Sequence, residues 1–419
     1  MKNRSYLCID LKSFYASVEC VDRGLDPFKV NLVVADPARG PGSICLAVSP
    51  AMKALGVPGR CRVFEIPKRI SYLMARPRMQ RYLDKSTEIF GIYLRYVAPD
   101  DIYVYSVDEC FIDATDYLRF YQKTEKEFAD MLRDAVFRQT GICATAGIGT
   151  NLFLAKVALD VVAKHTPDHI GVLDENSFRE TVWHHRPITD IWNVGPGIAS
   201  RLERYGVYDL YGVTQLPEAT LFRAFGASAR YLIDHANGVE PCTMAEIKSY
   251  VPKTTSLSSS QILFSNYNYE DAHVILREMV DQMVLELVKK GVVTGSVSLF
   301  IGYADRELPH AGKSRKLHEK TASYRTLSAV FDELYGEAVS RTAPIRRIGI
   351  SMGELIPEAD KPLTLFSDDA EEKRERSLLQ SIVSLRERYG KNAVVRARDF
   401  VPCATLRARN RMIGGHNES

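Results

Sequence analysis

Tyr6-Leu7-Cys8-Ile9-Asp10-Leu11-Lys12-Ser13-Phe14-Tyr15-Ala16-Ser17-Val18-Glu19 runs from an apolar stretch through one carboxylate into a helix-like segment carrying an aromatic pair. Much later, Tyr103-Val104-Tyr105-Ser106-Val107-Asp108-Glu109-Cys110-Phe111 brings a second apolar run to two adjacent acids. Two strands ending in carboxylates can converge three acids at one edge of a sheet. Desolvated acids repel one another and hold protons unless cations compensate. Hard oxygen ligands suit Mg²⁺. Two such ions ~3.5–4 Å apart stabilise the attacking and leaving oxygens of an in-line phosphoryl displacement. A lone Asp at a strand end is ordinarily a turn former or a helix cap. The aromatic-bearing helix directly behind Asp10 shifts the reading toward a metal site and nucleotidyl transfer.

Two motifs carry a resemblance. Asp10-Leu11-Lys12-Ser13-Phe14-Tyr15-Ala16-Ser17-Val18-Glu19 resembles the first motif of the Y-family translesion DNA polymerases, Asp-x-x-x-Phe-(Phe/Tyr)-Ala-x-Val-Glu. Ser106-Val107-Asp108-Glu109-Cys110-Phe111-Ile112-Asp113 resembles the second, Ser-(Ile/Val)-Asp-Glu-x-Phe-x-Asp. The resemblance implies an α/β (α+β) right-hand polymerase with palm, fingers, a helical thumb and a βαββαβ little finger.

Composition is compatible with that. A 419-residue chain can hold several domains, and 46% hydrophobic with 26% charged residues is ordinary for a soluble globular protein. No run approaches the ~20 apolar residues of a membrane span. The chain enters its first strand at once, leaving no room for a signal peptide, so a cytoplasmic location is expected. Eight scattered cysteines without a Cys-x-x-Cys pair read as reduced residues, neither a disulfide framework nor a zinc site.

The organisation follows from composition and pattern, with domain names taken from the resemblance. Residues 1–12 and 79–170 read as palm and 13–78 as fingers. A helical thumb, 171–242, contains Ile188-Thr189-Asp190-Ile191-Trp192-Asn193-Val194-Gly195-Pro196-Gly197. Its Gly-Pro-Gly turn resembles a helix-hairpin-helix, whose backbone N–H groups at a helix start contact DNA phosphate, here at Gly195 and Gly197. Residues 243–255 lack periodicity and read as a linker. Strands and helices then alternate as βαββαβ over 256–354, a sheet with helices on one face. Lys313, Arg315, Lys316, Arg346 and their neighbours cluster on its strand pair and loop, expected to grip DNA phosphates from the open face. The tail, 355–419, carries Lys361-Pro362-Leu363-Thr364-Leu365-Phe366. Leu363, Leu365 and Phe366 there resemble a sliding-clamp-binding peptide, exposed apolar anchors beside acids.

The resemblance also assigns roles. Asp10, Asp108, Glu109 and the Leu11 carbonyl would hold two Mg²⁺ ions, one activating a primer 3′-hydroxyl and one holding the triphosphate. Tyr15 matches the steric gate against a ribose 2′-hydroxyl, leaving Phe14 to packing, while Glu19 and Asp113 are expected to be supporting acids. Lys164 matches the palm lysine aimed at the triphosphate. Where many members carry Tyr-x-Ala-Arg in the fingers, this chain has Pro50-Ala51-Met52-Lys53. Pro50 lacks a donor and Lys53 replaces a bidentate Arg with a point charge. Lys53-Ala54-Leu55-Gly56 is similar to the UmuC branch, with the DinB-type polymerase IV as the alternative.

The expected partners are primer-template DNA, deoxynucleoside triphosphates and a sliding clamp, with no membrane, for a monomer. A nucleotidyl cyclase also uses palm-like carboxylates but needs neither a Gly-Pro-Gly hairpin nor an open basic sheet. A non-catalytic scaffold would be expected to have lost the acids.

Overall fold

The computed structural model describes residues 4–253, 255–305, 307–362 and 369–417. The chain divides after Tyr250 into two compact units.

The first unit is built on a five-stranded sheet. Its strands are β1 (Tyr6–Leu11), β5 (Ile102–Val104), β6 (Glu109–Asp113), β7 (Ala144–Gly149) and β8 (Ile170–Leu173), in the order β5-β6-β1-β7-β8. Central β1 is buried almost throughout, as its unbroken apolar run requires. The acid-bearing run Tyr103–Phe111 is two strands rather than one. Tyr103 and Val104 close β5, the chain turns, and Glu109 opens β6. The acids therefore sit at a hairpin turn and a strand start, where Ser106 bonds back to Asp108 in the manner of a local turn.

The segment between the acid-bearing strands forms its own three-stranded sheet, with β2 (Leu32–Val34) between β3 (Ala47–Val48) and β4 (Leu73–Ala75). It closes a separate core on Val33, Cys45, Val48, Met52 and Val57. Downstream, the helices between Glu175 and Ala236 share a core with Phe153, Leu154 and Val157.

The expected linker starts as a helix. Thr243 and Glu246 form a reciprocal capping box, and Met244–Ser249 packs Met244 and Ile247 against Tyr6, Cys8 and Phe111. The Thr-x-x-Glu signature is readable in the chain, and the docked apolar pair is what makes so short a helix stable.

The second unit holds β9 (Ser256–Tyr267), β10 (Val292–Tyr303), β11 (Ala311–Thr321) and β12 (Ile345–Gly353), in the order β11-β10-β12-β9. Helices Tyr269–Lys290 and Tyr324–Ala338 follow β9 and β11, giving the βαββαβ order read from the sequence. Part of the expected tail belongs to this unit. The Asp369–Tyr389 helix buries Leu379 in the same core. Beyond it, Arg396 bonds Asp281 at 2.6 Å, and the Thr405 and Leu406 N–H groups donate to Glu278. Glu278 and Asp281 are buried on the long helix, and buried carboxylates need such partners.

Candidate active site

β1 and β6 run antiparallel with Asp10 opposite Glu109, and the Leu11 N–H donates to the Asp108 carbonyl at 2.8 Å. This register brings the three acids to one edge. Burial first, then Asp108 and Glu109, raise the Asp10 carboxyl to about 7, while Lys156 pulls it down. The carboxylates are nevertheless engaged elsewhere. Glu109 accepts from Lys156 at 2.8 Å and from the Cys8 thiol at 3.1 Å, and Asp108 accepts from Ser106 at 2.6 Å. Among the described residues, no three acidic, histidine or cysteine side chains are gathered into a ready cage for a metal ion.

Lys156 is the cation the sequence reading did not single out. Its side chain is only 9% exposed, as is that of Glu109, and it also pairs with Asp160 at 3.1 Å. Burial lowers its pKa, but the carboxylates of Asp160 and Glu109 outweigh that and hold the ammonium charged. It reaches the acids because the Leu152–Val157 helix lies flush on the sheet. A Cβ at Gly147 or Gly149 would collide with the backbone of Ala155, and one at Gly171 with that of Ala158. The helix continues into a π-helical turn, Ala158–Val162, a feature frequent at functional sites. Lys164 lies just past it on a short 3₁₀ turn, exposed, and is not among the charges acting on Asp10.

An acid whose folded pKa lies above its ordinary 3.8 is protonated longer in the folded state. Its contribution to stability is complete below pH 3.8 and is lost as pH rises through about 7. A cation competing with that proton binds more tightly over the same interval. Any rise in Tm produced by an added divalent cation is expected to be larger at pH 8 than at pH 6; the reverse order would contradict the placement of Asp10.

Ser13 enters the Phe14–Val21 helix in the left-handed region at φ 50°, and its hydroxyl is buried without a hydrogen-bond partner among the described residues. Phe14 is 2% exposed and packs inward, whereas Tyr15 is half-buried. Burial, then Asp108, raises the Tyr15 hydroxyl pKa, with Arg60 opposing. The phenol thus lies within electrostatic reach of the acid edge. Lys53 is exposed on the Pro50–Ala54 helix and close enough to Lys12 to lower its pKa, behind burial as the main cause. Glu19 is fully buried among Arg23, Arg78 and Tyr82. Asp113 accepts from Thr115 at the opposite end of β6. Both are thus engaged by neighbouring side chains of the protein.

Gly195 and Gly197 face open space at the start of the Pro196–Glu203 helix. The basic residues of the second unit divide between its two sheet faces. Arg315 is paired in register with Val297 and Lys313 with Leu299, so both share the helix-covered side. There Lys313 pairs with Glu337, and Arg315 with Glu333 and Glu337. Their expected place on the open face is therefore corrected: strand alternation sends them to the side of Leu317. Lys316 lies opposite Ser296 on the open face, its side chain 77% exposed. Arg346 sits at an irregularity of β12, and Arg347 beside it donates to Ser260. Leu363, Leu365 and Phe366 lie outside the described residues.

The fold of the chain is that of the Y-family DNA polymerases. A solved Y-family DNA polymerase chimera matches at a TM-score of 0.61 and 18% identity, over 84% of this chain and 99% of that one. A model of the impB/mucB/samB family matches residues 9–160, and one of that family's C-terminal domain matches 254–365. The two together span well over half of the chain, which belongs to this family. Among its relatives, a Bacillus subtilis (strain 168) protein named "Putative UV-damage repair protein UvrX" is 29% identical over 99% of this chain and 97% of its own length. DNA polymerase IV 2 of the same organism is 29% identical over 99% of both chains. DNA polymerase IV of Pelotomaculum thermopropionicum is 26% identical over 96% of this chain and 97% of that one. Among the described residues, no helix is long and apolar enough to cross a membrane.

Proposed function

We propose that this chain is a DNA-templated DNA polymerase for translesion synthesis in error-prone repair, working on primer-template DNA and deoxynucleoside triphosphates within an SOS-type damage response. The observation that carries the reading is the opposed pair Asp10 and Glu109, with Asp108 beside them and Tyr15 on the helix that follows. Full-length relatives named DNA polymerase IV support the activity. Residues 1–12 and 79–170 act as palm, 13–78 as fingers, 171–242 as thumb and 256–354 as little finger. Equal identity to the two Bacillus subtilis relatives favours neither branch; Lys53-Ala54-Leu55-Gly56, Asp190-Ile191-Trp192-Asn193-Val194-Gly195 and the tail support the UmuC-like branch over a polymerase IV type.

The donor set is all oxygen, and burial together with the neighbouring Asp108 and Glu109 raises the Asp10 carboxyl. That fits a hard divalent ion, two Mg²⁺ in our reading, held by Asp10, Asp108, Glu109 and the Leu11 carbonyl. When bound, such ions activate the primer hydroxyl and stabilise the departing pyrophosphate. Lys53 and Lys164, both exposed, neutralise triphosphate charge. Gly195, Gly197, Lys316 and Arg346 hold the DNA backbone without reading sequence. The enzyme works as a cytoplasmic monomer tethered to a sliding clamp by Leu363, Leu365 and Phe366.

Two tests follow. Tyr15→Ala should raise ribonucleotide relative to deoxyribonucleotide incorporation by at least about tenfold, since one clash with a single hydroxyl sets the preference. An unchanged ratio assigns the gate to another residue. Replacing Leu365 and Phe366 with Ala should remove stimulation by the clamp while leaving short-primer synthesis intact, because tethering acts through effective concentration. Full stimulation of the double variant would place the tether elsewhere.

A further inference from the structure

A gate rejects a ribose only if its ring cannot yield. Tyr15 is half-buried in the first turn of the Phe14–Val21 helix, and a half-buried tyrosine in isolation would swing between rotamers. The structure gives it a backing. The ring of Tyr82, from the helix Met79–Tyr93, stacks on that of Tyr15 with centroids 4.4 Å apart and planes 15° from parallel. Tyr82 is fully buried, and its hydroxyl donates to Glu19 Oε1 at 2.8 Å.

Glu19 lies one helical turn after Tyr15 on the same helix, so the two side chains share a face. Tyr82 spans both, its ring on Tyr15 and its hydroxyl on Glu19. The carboxylate is itself fixed: Arg78 donates to it twice, at 2.9 and 3.1 Å, and Arg23 approaches from the other side. Arg78 also bonds Asp22 at 2.8 Å, and Arg81 holds Asp22 through two further bonds. Two helices far apart in sequence are thereby locked behind one ring.

We infer that Tyr82, anchored by Glu19, is a positioning residue for sugar selection: it holds the Tyr15 ring rigid against the 2′-position of the incoming nucleotide. The inference rests on the gate reading of Tyr15. Tyr82 acts through Tyr15 alone, and Glu19 acts only by fixing the Tyr82 hydroxyl.

The test is single-nucleotide insertion on primed DNA by the full chain, with kcat and KM measured for a ribonucleotide and its deoxy counterpart. Tyr82→Leu keeps apolar bulk but removes the stacking face, and should raise ribonucleotide over deoxyribonucleotide efficiency by about tenfold. Tyr82→Phe keeps the stack and loses the anchor, and should raise the ratio by about threefold. Deoxynucleotide kcat should stay within about twofold of wild type in both, because neither change touches the acids. A purely structural role would lower both efficiencies together and leave the ratio fixed, which overturns the inference. If Tyr82→Leu does not fold, Tyr82→Phe decides alone, and an unchanged ratio overturns the inference. Tyr15→Ala separates the two levels. If it too leaves the ratio unchanged, the gate reading itself fails; if it relaxes the ratio while the Tyr82 variants do not, only the present inference falls.

Discussion

Asp108→Ala is expected to lower primer extension by more than about a hundredfold while leaving affinity for primed DNA nearly intact. Residues that merely support a metal ligand cost ~10–100-fold when removed, and Asp108 is assigned as a ligand. Among the described residues its carboxylate is hydrogen-bonded by Ser106 and enters no ion pair, so deletion breaks no buried ion pair and the fold should persist. The DNA-gripping residues proposed above lie on other elements, at Gly195, Gly197, Lys316 and Arg346. Extension assayed beside DNA binding by anisotropy separates the two. Near-wild-type extension would remove Asp108 from the chemistry, and loss of DNA binding would show that its role is structural.

Lys156→Met carries the next largest effect, on stability. Lys156 and Glu109 are each 9% exposed and paired at 2.8 Å. Removing one partner of a buried pair leaves the other charge desolvated and costs about 3 kcal/mol. Asp160 is 31% exposed and can return to water, so most of the penalty falls on Glu109. A divalent ion at the acid edge then becomes the remaining source of compensation. Melting curves should show a lower Tm for the metal-free variant, and a larger gain from added Mg²⁺ than in wild type. An unchanged Tm would show that the pair adds nothing net. Equal gains would show that Glu109 and the ion do not meet.

The pattern of residues announces the acid edge, the βαββαβ unit and the aromatic helix, because each depends on local periodicity and on residue types that chemistry demands. The remaining features depend on what packs against what. Lys156 and Asp160 read as an ordinary i,i+4 surface pair. Only the glycines at 147, 149 and 171 bring their helix close enough to the sheet to bury the lysine. Tyr82 reads as one more apolar position of an amphipathic helix, and its stack on Tyr15 joins two distant helices. Lys313 and Arg315 alternate with Lys316, so a composition count pools them, whereas the strand register sends them to the helix side. The basic stretch after Arg396 reads as a loose tail until Glu278 and Asp281, buried on another helix, supply a reason for it to dock.

Templated nucleotidyl transfer at this acid edge is the activity proposed for the chain. The direct measurement is extension of a labelled primer on a template by the purified full chain with four deoxynucleoside triphosphates, with and without Mg²⁺. The added bases should follow the template, require the divalent ion and stop on chelation. A folded protein that binds primed DNA yet extends no primer in Mg²⁺ or Mn²⁺, or that instead cyclises ATP, would contradict it.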